Sequence, residues 1–286
     1  MAKLKGIFVC KTIRFLFLLA LLACFVTCTH LQYNIESLDG GSSAMITRYV
    51  GRRQDVHIPP YIRGMPITAI GRHAFAGRGL TSIIIPNNVI KIGHGAFFNN
   101  QLNSVIIPNS VTTIGERAFS NNNLNSVFIG DSVITIGREA FFQNQLTSVT
   151  IGGNVTEIGM AAFMHNYLTD VTILDGVVTI GNSAFSHNRL SSVTIPDSVI
   201  TIAGGVFLGN HLTYVTIPSS VNIIEDLAFV DNPLTNISIG ANVILGTPGQ
   251  PWGRNIVFSA EFDAFYNDNG RQAGIYVFRD GQWMMN

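Results

Sequence analysis

The chain has 286 residues, with seventeen basic and seventeen acidic side chains, and only 12% of it is charged. That composition excludes a disordered polyelectrolyte, and the balance of charge argues against a nucleic-acid surface, which needs clustered Lys and Arg. Twenty-eight glycines and frequent Asn, Ile, Ser and Thr suit many short strands joined by tight turns.

Residues 1–28 stand apart. Lys3, Lys5, Lys11 and Arg14 precede an apolar run of twelve residues, Phe15 to Val26, with no acid among them. A bilayer-spanning helix needs about 20 residues, so the run is too short for one. A basic segment, a short apolar segment and small residues after it read as an export signal. Its removal leaves thirteen basic residues against seventeen acidic, a net charge of −4. All three cysteines, Cys10, Cys24 and Cys28, lie in this segment. The rest of the chain therefore has neither a disulfide frame nor a Cys-based metal site. The stretch LLAC, Leu21 to Cys24, resembles a bacterial lipobox, which makes Cys24 the candidate lipidation site. A plain secretory signal cut near Ala23 or Thr27 is the other reading.

Residues 29–66 are expected to form an N-terminal cap with an irregular first repeat, since Ile58 and Ile85 are 27 residues apart. From 67 to 246 the interval is 22 and holds for eight turns without an insertion. Phe75 begins a series that runs through Phe97 and Phe119 to Phe229, and the Leu five residues later runs from Leu80 to Leu234. An apolar pair two residues apart, such as Val193 and Ile195, follows each Leu. That spacing puts the pair on one face of a short strand and leaves Ser192 and Thr194 on the other. Pro196 or a Gly in its place ends the strand, and a single helical turn is expected around Ala184 and Phe185. One unit is too small to bury its own apolar faces, so neighbours must stack to complete the core. The Asn three residues after each Phe is a polar row: Asn100, Asn122, Asn144, Asn166, Asn188, Asn210 and Asn232, with Arg78 in its place in the first unit. Asn in such a turn can bond backbone groups that no sheet pairs, which is a structural role.

These residues carry a family resemblance. The pattern LxxVxIPxxVxxIGxxAFxxN over 67–246 is similar to the BspA-type leucine-rich repeat of bacterial surface antigens. The expected fold is a β-rich solenoid: a right-handed leucine-rich-repeat coil of eight 22-residue repeats with short parallel strands, an N-terminal cap and a C-terminal β-hairpin module. The resemblance also implies cell-surface display and binding to host or bacterial proteins.

After Ile239 the period fails. Residues 247–286 are rich in aromatics, and Asn269-Gly270 and Asp280-Gly281 are hairpin-turn signals, so an aromatic-rich β-hairpin cap is expected. NDNG is not a calcium loop, because Phe265 stands where the first acidic ligand should be.

No nucleophile elbow, zinc-protease, phosphate-loop or dinucleotide motif occurs in the chain. His165 and His187 lie one repeat apart but share their register with no third ligand, so they read as solvated loop residues and no metal or cofactor is expected. An enzyme is not expected. The outward strand positions offer a surface instead. One column reads Ile84, Ile106, Phe128, Thr150, Thr172, Thr194, Thr216 and Ser238, with Tyr214 in the column beside it. Its apolar start is a candidate contact for a protein ligand, such as a host matrix or cell-surface protein; simple β-propensity is the competing account. The expected function is a non-catalytic surface binding or adhesion protein, outer-membrane or cell-surface, lipid-anchored or secreted. The alternative is a structural, self-associating envelope protein.

Overall fold

The computed structural model describes residues 32–246 and 256–286. The leader segment, with Cys24, and residues 247–255 lie outside the described residues.

The chain winds as a β-solenoid of three-sided coils. The first side of a coil is a strand of three or four residues, such as Ser104–Ile106, Ser126–Phe128, Ser148–Ile151 and Asp170–Ile173. Bonded neighbours run parallel and in register, so Ser126, Val127 and Phe128 face Ser104, Val105 and Ile106. The second side is a two-residue strand, from Lys91–Ile92 through Thr113–Ile114 to Thr179–Ile180. These strands join through Met65–Ile70 to an N-terminal hairpin, Tyr33–Leu38 and Ser43–Tyr49, in one nine-stranded sheet. Alternation puts Val105, Ile107 and Ile114 inward, and all three are buried.

The third side differs from the sequence expectation. It is no helical turn but a pair of overlapping tight turns, closed in one coil by Ala74 N to Gly71 O and Ala76 N to His73 O. The residues two before and two after each Phe are left-handed: Arg117 at φ 54° and Asn121 at φ 56° flank Phe119. Alternating left- and right-handed residues turn every second N–H out of the coil toward the next, while those between close the turns. Arg117 N, Phe119 N and Asn121 N donate to Arg138 O, Ala140 O and Phe142 O at 2.8–2.9 Å. The third side is thus a ladder between coils, which a helix, bonded within itself, could not be.

The phenylalanines stack ring on ring through the core, 5.0 Å apart between Phe97 and Phe119 and 5.2 Å between Phe141 and Phe163. The stack is longer than the repeat. Tyr49 continues it 5.3 Å beyond Phe75, and Phe258 continues it 4.9 Å beyond Phe229.

The coils do not stack evenly. Where the second side meets the third, a Cβ on Gly137, Gly159 or Gly181 would fall 2.5–2.6 Å from the backbone of the preceding coil, so the chains touch there. Ala203 interrupts this glycine row, and the nine-stranded sheet stops just before it; Thr201–Ile202 begins a separate three-stranded sheet. Residues 192–195 of the same coil form no strand. The gap from Phe185 to Phe207, 5.9 Å, is the widest in the phenylalanine stack. Third-side bonds persist across the junction, as Ser183 N to Gly204 O at 2.9 Å. Pairing resumes between Ile202 and Ile224 although Glu225 also carries a Cβ, so the missing glycine alone does not part the strands.

The C-terminal end holds one element the sequence did not announce. Asp280-Gly281 does turn a hairpin, between Gly274–Arg279 and Gln282–Met285. Asn269-Gly270 instead closes a helix, Ala260–Asp268, where the Asn269 side chain bonds Phe265 O at 2.9 Å. Ser259 caps its start by accepting from Phe262 N. The strand Gly274–Arg279 pairs antiparallel with Asn236–Ile239 and covers the last first-side edge. Tyr266 anchors the helix, its hydroxyl donating to Gly240 O at 2.7 Å and accepting from Val243 N at 3.2 Å.

Asp263 is the buried acid of this cap. Its carboxylate accepts from Val257 N at 2.6 Å and Phe258 N at 3.3 Å. Burial outweighs those bonds and pushes the carboxyl from 3.8 up to about 6. A folded pKa above the unfolded one gives stability that is fully present below pH 3.8 and lost as pH rises through about 6. We predict that chemical denaturation finds the wild type losing up to about 3 kcal/mol of stability relative to Asp263→Asn over that window. A constant difference between the two proteins across it would contradict the assignment.

Candidate binding face and the asparagine row

The outward side chains of the first side form the candidate face. Ile84, Ile106 and Phe128 are 54%, 69% and 53% exposed, and they follow one another on successive coils. Phe128 lies directly opposite Ile106 in the parallel pair. Thr150, Thr172, Thr194 and Thr216 continue the column and are exposed, with Tyr214 beside Thr216 at the edge of the face. Thr150 and Thr172 are paired in register. Thr194 stands on the segment that forms no strand.

The face extends further at both ends than the repeat. His57 precedes Ile84 in register on the strand Asp55–His57. At the other end Ser238 pairs with Ile275, and Val277 with Met284, where Ile275 and Met284 are 52% and 43% exposed. From Ile84 the column therefore runs apolar, then hydroxylic, then apolar again at Ile275, while Val277 and Met284 lie in the column beside it. The second apolar patch was missed because it belongs to an antiparallel strand outside the 22-residue period. Its signal was the alternation in GIYVF, where Tyr276 is buried and its two neighbours face outward.

The asparagine row lies on the third side and is closed to solvent. Asn100, Asn122, Asn144, Asn166, Asn188 and Asn210 are 2–7% exposed, and Asn232 is half-buried. Each carboxamide oxygen accepts from a leucine N–H of the preceding coil, as Leu124 N to Asn144 at 3.1 Å. Each carboxamide nitrogen donates to two phenylalanine carbonyls, for Asn144 those of Phe119 at 2.9 Å and Phe141 at 3.2 Å. Asn100 accepts from Arg78 N as well as Leu80 N. These groups point into the core, and the row offers no surface to a ligand.

His165 and His187 are exposed and stack face to face, with centroids 4.8 Å apart at an angle of 8°. Burial, then the neighbouring His187, pull the His165 imidazole below its usual pKa. Among the described residues, no group of three His, Cys, Asp or Glu could hold a metal ion. Nor is any helix among them long and apolar enough to cross a membrane.

Stacked coils with a fixed apolar core, inter-coil asparagines and a variable outward face define a leucine-rich-repeat solenoid, a fold that serves as a scaffold for protein interaction. A family model described as a BspA type leucine rich repeat region matches in six copies, over residues 68–189 and 178–245. The chain belongs to that family. No curated protein sequence matches it. Among solved structures it is similar to a leucine-rich repeat protein from Bacteroides ovatus, at 24% identity and a TM-score of 0.52, over 74% of this chain and 53% of that one. It is also similar to a leucine-rich repeat protein from T. pallidum, at 26% identity and a TM-score of 0.46, over 62% of this chain and 75% of that one. The likeness to the Bacteroides ovatus protein describes the fold alone.

The bonds of Asn144 set a testable cost. Asn144→Ala strands a buried N–H and removes a donor from two buried carbonyls, which should destabilise the protein by about 2–4 kcal/mol. Asn144→Asp keeps the shape but turns a carboxylate toward two carbonyl oxygens, and should be at least as unstable. Chemical denaturation of both variants checks this; an Asp variant as stable as wild type would show that the row works by packing alone.

Proposed function

We propose that the chain is a non-catalytic binding protein whose first-side face engages a protein partner, with the contact centred on Ile84, Ile106 and Phe128. The observation that carries this is the exposure of three large apolar side chains, 53–69%, on successive coils of one column, next to its hydroxylic stretch. Aromatic and aliphatic groups in a desolvated patch supply most of the energy of an interface. The partner is a host or bacterial protein, and the role is adhesion at the cell surface. Association of the family with bacterial surfaces supports that role, as does the basic-then-apolar composition of residues 1–28. Anchoring is through lipid on Cys24. A diacylated cysteine supplies two buried chains, enough for stable attachment. The reading as a self-associating envelope protein is weaker. Antiparallel strands flank the repeat at both ends, at Tyr33–Leu38 and at Gly274–Arg279, and blunt end-to-end growth.

Phe128→Asp puts a charge in the patch without touching Val127 or Ile129 beside it. Circular dichroism should be unchanged, while surface plasmon resonance against captured ligands should read at least about tenfold weaker binding, a modest loss for a hot spot. Thr194→Asp, on the hydroxylic stretch, should matter less. Loss of binding with Thr194→Asp alone would move the site along the column. Cys24→Ser should release the protein from the membrane fraction, while Cys28→Ser should not. Fatty-acid labelling that survives Cys24→Ser would refute lipidation there.

A further inference from the structure

Every asparagine of the row sits in a frame made of backbone. Asn232 shows it: Leu212 N donates to its carboxamide oxygen at 3.0 Å, and its nitrogen donates to Phe207 O and Phe229 O at 2.9 Å. The frame recurs wherever the backbone recurs, and part of that backbone recurs once more after Asn232. Thr235 N still bonds Thr213 O at 2.8 Å, as Thr169 N bonds Thr147 O three coils earlier. Phe258 stacks on Phe229, and Phe229 N donates to Val257 O at 2.8 Å in the third-side pattern. Phe258 thus stands to Phe229 as Phe229 does to Phe207 in ring stacking and in this one third-side bond, after which Ser259 is extended and the helix begins.

The row itself does not continue. The residue three after Phe258 is Glu261, but the helix starts there and holds Glu261 exposed. Among the described residues, none bonds Leu234 N. Among the described residues Phe229 O accepts from Asn232 alone, where Phe207 O accepts from both Asn210 and Asn232. In that place lies a cavity of about 370 Å³ between Asn232, Leu234, Phe258 and Glu261, walled by Phe278 and Trp283.

We propose that this cavity binds a primary carboxamide, the side chain of an asparagine presented by a partner protein. The chemistry of the frame selects it. Leu234 N–H asks for an acceptor, and Phe229 O, with one donor where Phe207 O has two, has room for a second; a carboxamide carries both, whereas a carboxylate has no donor and an ammonium has no acceptor. Glu261 at the rim further disfavours a carboxylate. The interior frames hold asparagine seven times over, so the length of that side chain is already matched. The aromatic walls then shield the bonds from water, where they are stronger. A second copy stacked on this end is not the source, because its first coil carries Arg78 in the register of the row.

The test is an amide-resolved NMR titration of the ¹⁵N-labelled protein with N-acetyl-asparagine methylamide, its aspartate counterpart and acetamide. We expect the Leu234 amide to move saturably with the asparagine compound, which should bind at least about tenfold more tightly than the aspartate compound, since that one brings no donor to Phe229 O and sets a charge beside Glu261. Phe278→Ala, at a partly exposed wall, should weaken this binding with circular dichroism unchanged. A Leu234 amide that stays still, or moves equally with the aspartate compound, overturns the site. Acetamide binding as tightly as the asparagine compound overturns the partner-protein source and leaves a pocket for free amides.

Discussion

The third side of the coil poses the problem that the rest of the structure answers. Sheets satisfy their own backbone groups, but a side made of overlapping turns leaves carbonyls and N–H groups inside the protein. The asparagine carboxamide meets three of them at once. Asn188, for example, accepts from Leu168 N and donates to Phe163 O and Phe185 O, which lie in two successive coils. That bridge fixes the distance between coils, and the ring stack follows from it: a phenylalanine on every coil at that spacing meets its neighbours at 5.0–5.9 Å. Remove the bridge and the buried carbonyls beside each ring lose their donors, so the polar row and the aromatic stack stand or fall together.

Much of this was legible in the sequence because translation repeats an environment. Phe141 and Phe163 have the same neighbours, one coil apart, so selection for one pocket writes the same residue into both. The face was legible for the same reason, by alternation within SVF and SVT. What failed lies where translation stops or where backbone conformation is not written in residue type. Left-handed φ occurs at Arg117, Glu139 and Ala161, none of which favours it, so nothing in those residues distinguished a pair of tight turns from a turn of helix. Tyr49 and Phe258 belong to the ring stack, but insertions put them outside the interval of 22. The helix at Ala260–Asp268 was concealed by Asn269-Gly270, a pair that closes helices as readily as hairpins. The spacing of Phe262, Phe265 and Tyr266 was its available sign, since residues three and four apart share a helix face.

The ends show how a repeating structure is made finite. A parallel first-side strand offers its edge to another parallel strand of the same kind, and an antiparallel one withdraws that offer. Gly274–Arg279 does so at the C-terminal end. At the N-terminal end the hairpin Tyr33–Leu38 and Ser43–Tyr49 closes the second side instead. The first-side edge there is only Asp55–His57, three residues, and Tyr33 covers one of its carbonyls by donating to His57 O at 3.3 Å. Shortness and cover take the place of a full cap.

Finite length also shapes what the face can bind. Core and face are separated by the pleat, so Val105 can stay buried at 3% while Ile106 next to it is 69% exposed. The face can therefore change without cost to the core. Neighbouring strands lie about 4.8 Å apart, so Ile84, Ile106 and Phe128 span only about 10 Å along the axis. A stable interface takes about 800 Å² from each partner, more than three side chains on that span can supply. A ligand centred on them must reach across to Ser82, Ser104 and Ser126 in the adjoining column or along to the threonines. Those hydroxyls hydrogen-bond only where a partner's groups meet them, which makes the apolar end the source of affinity and the hydroxylic run the source of discrimination.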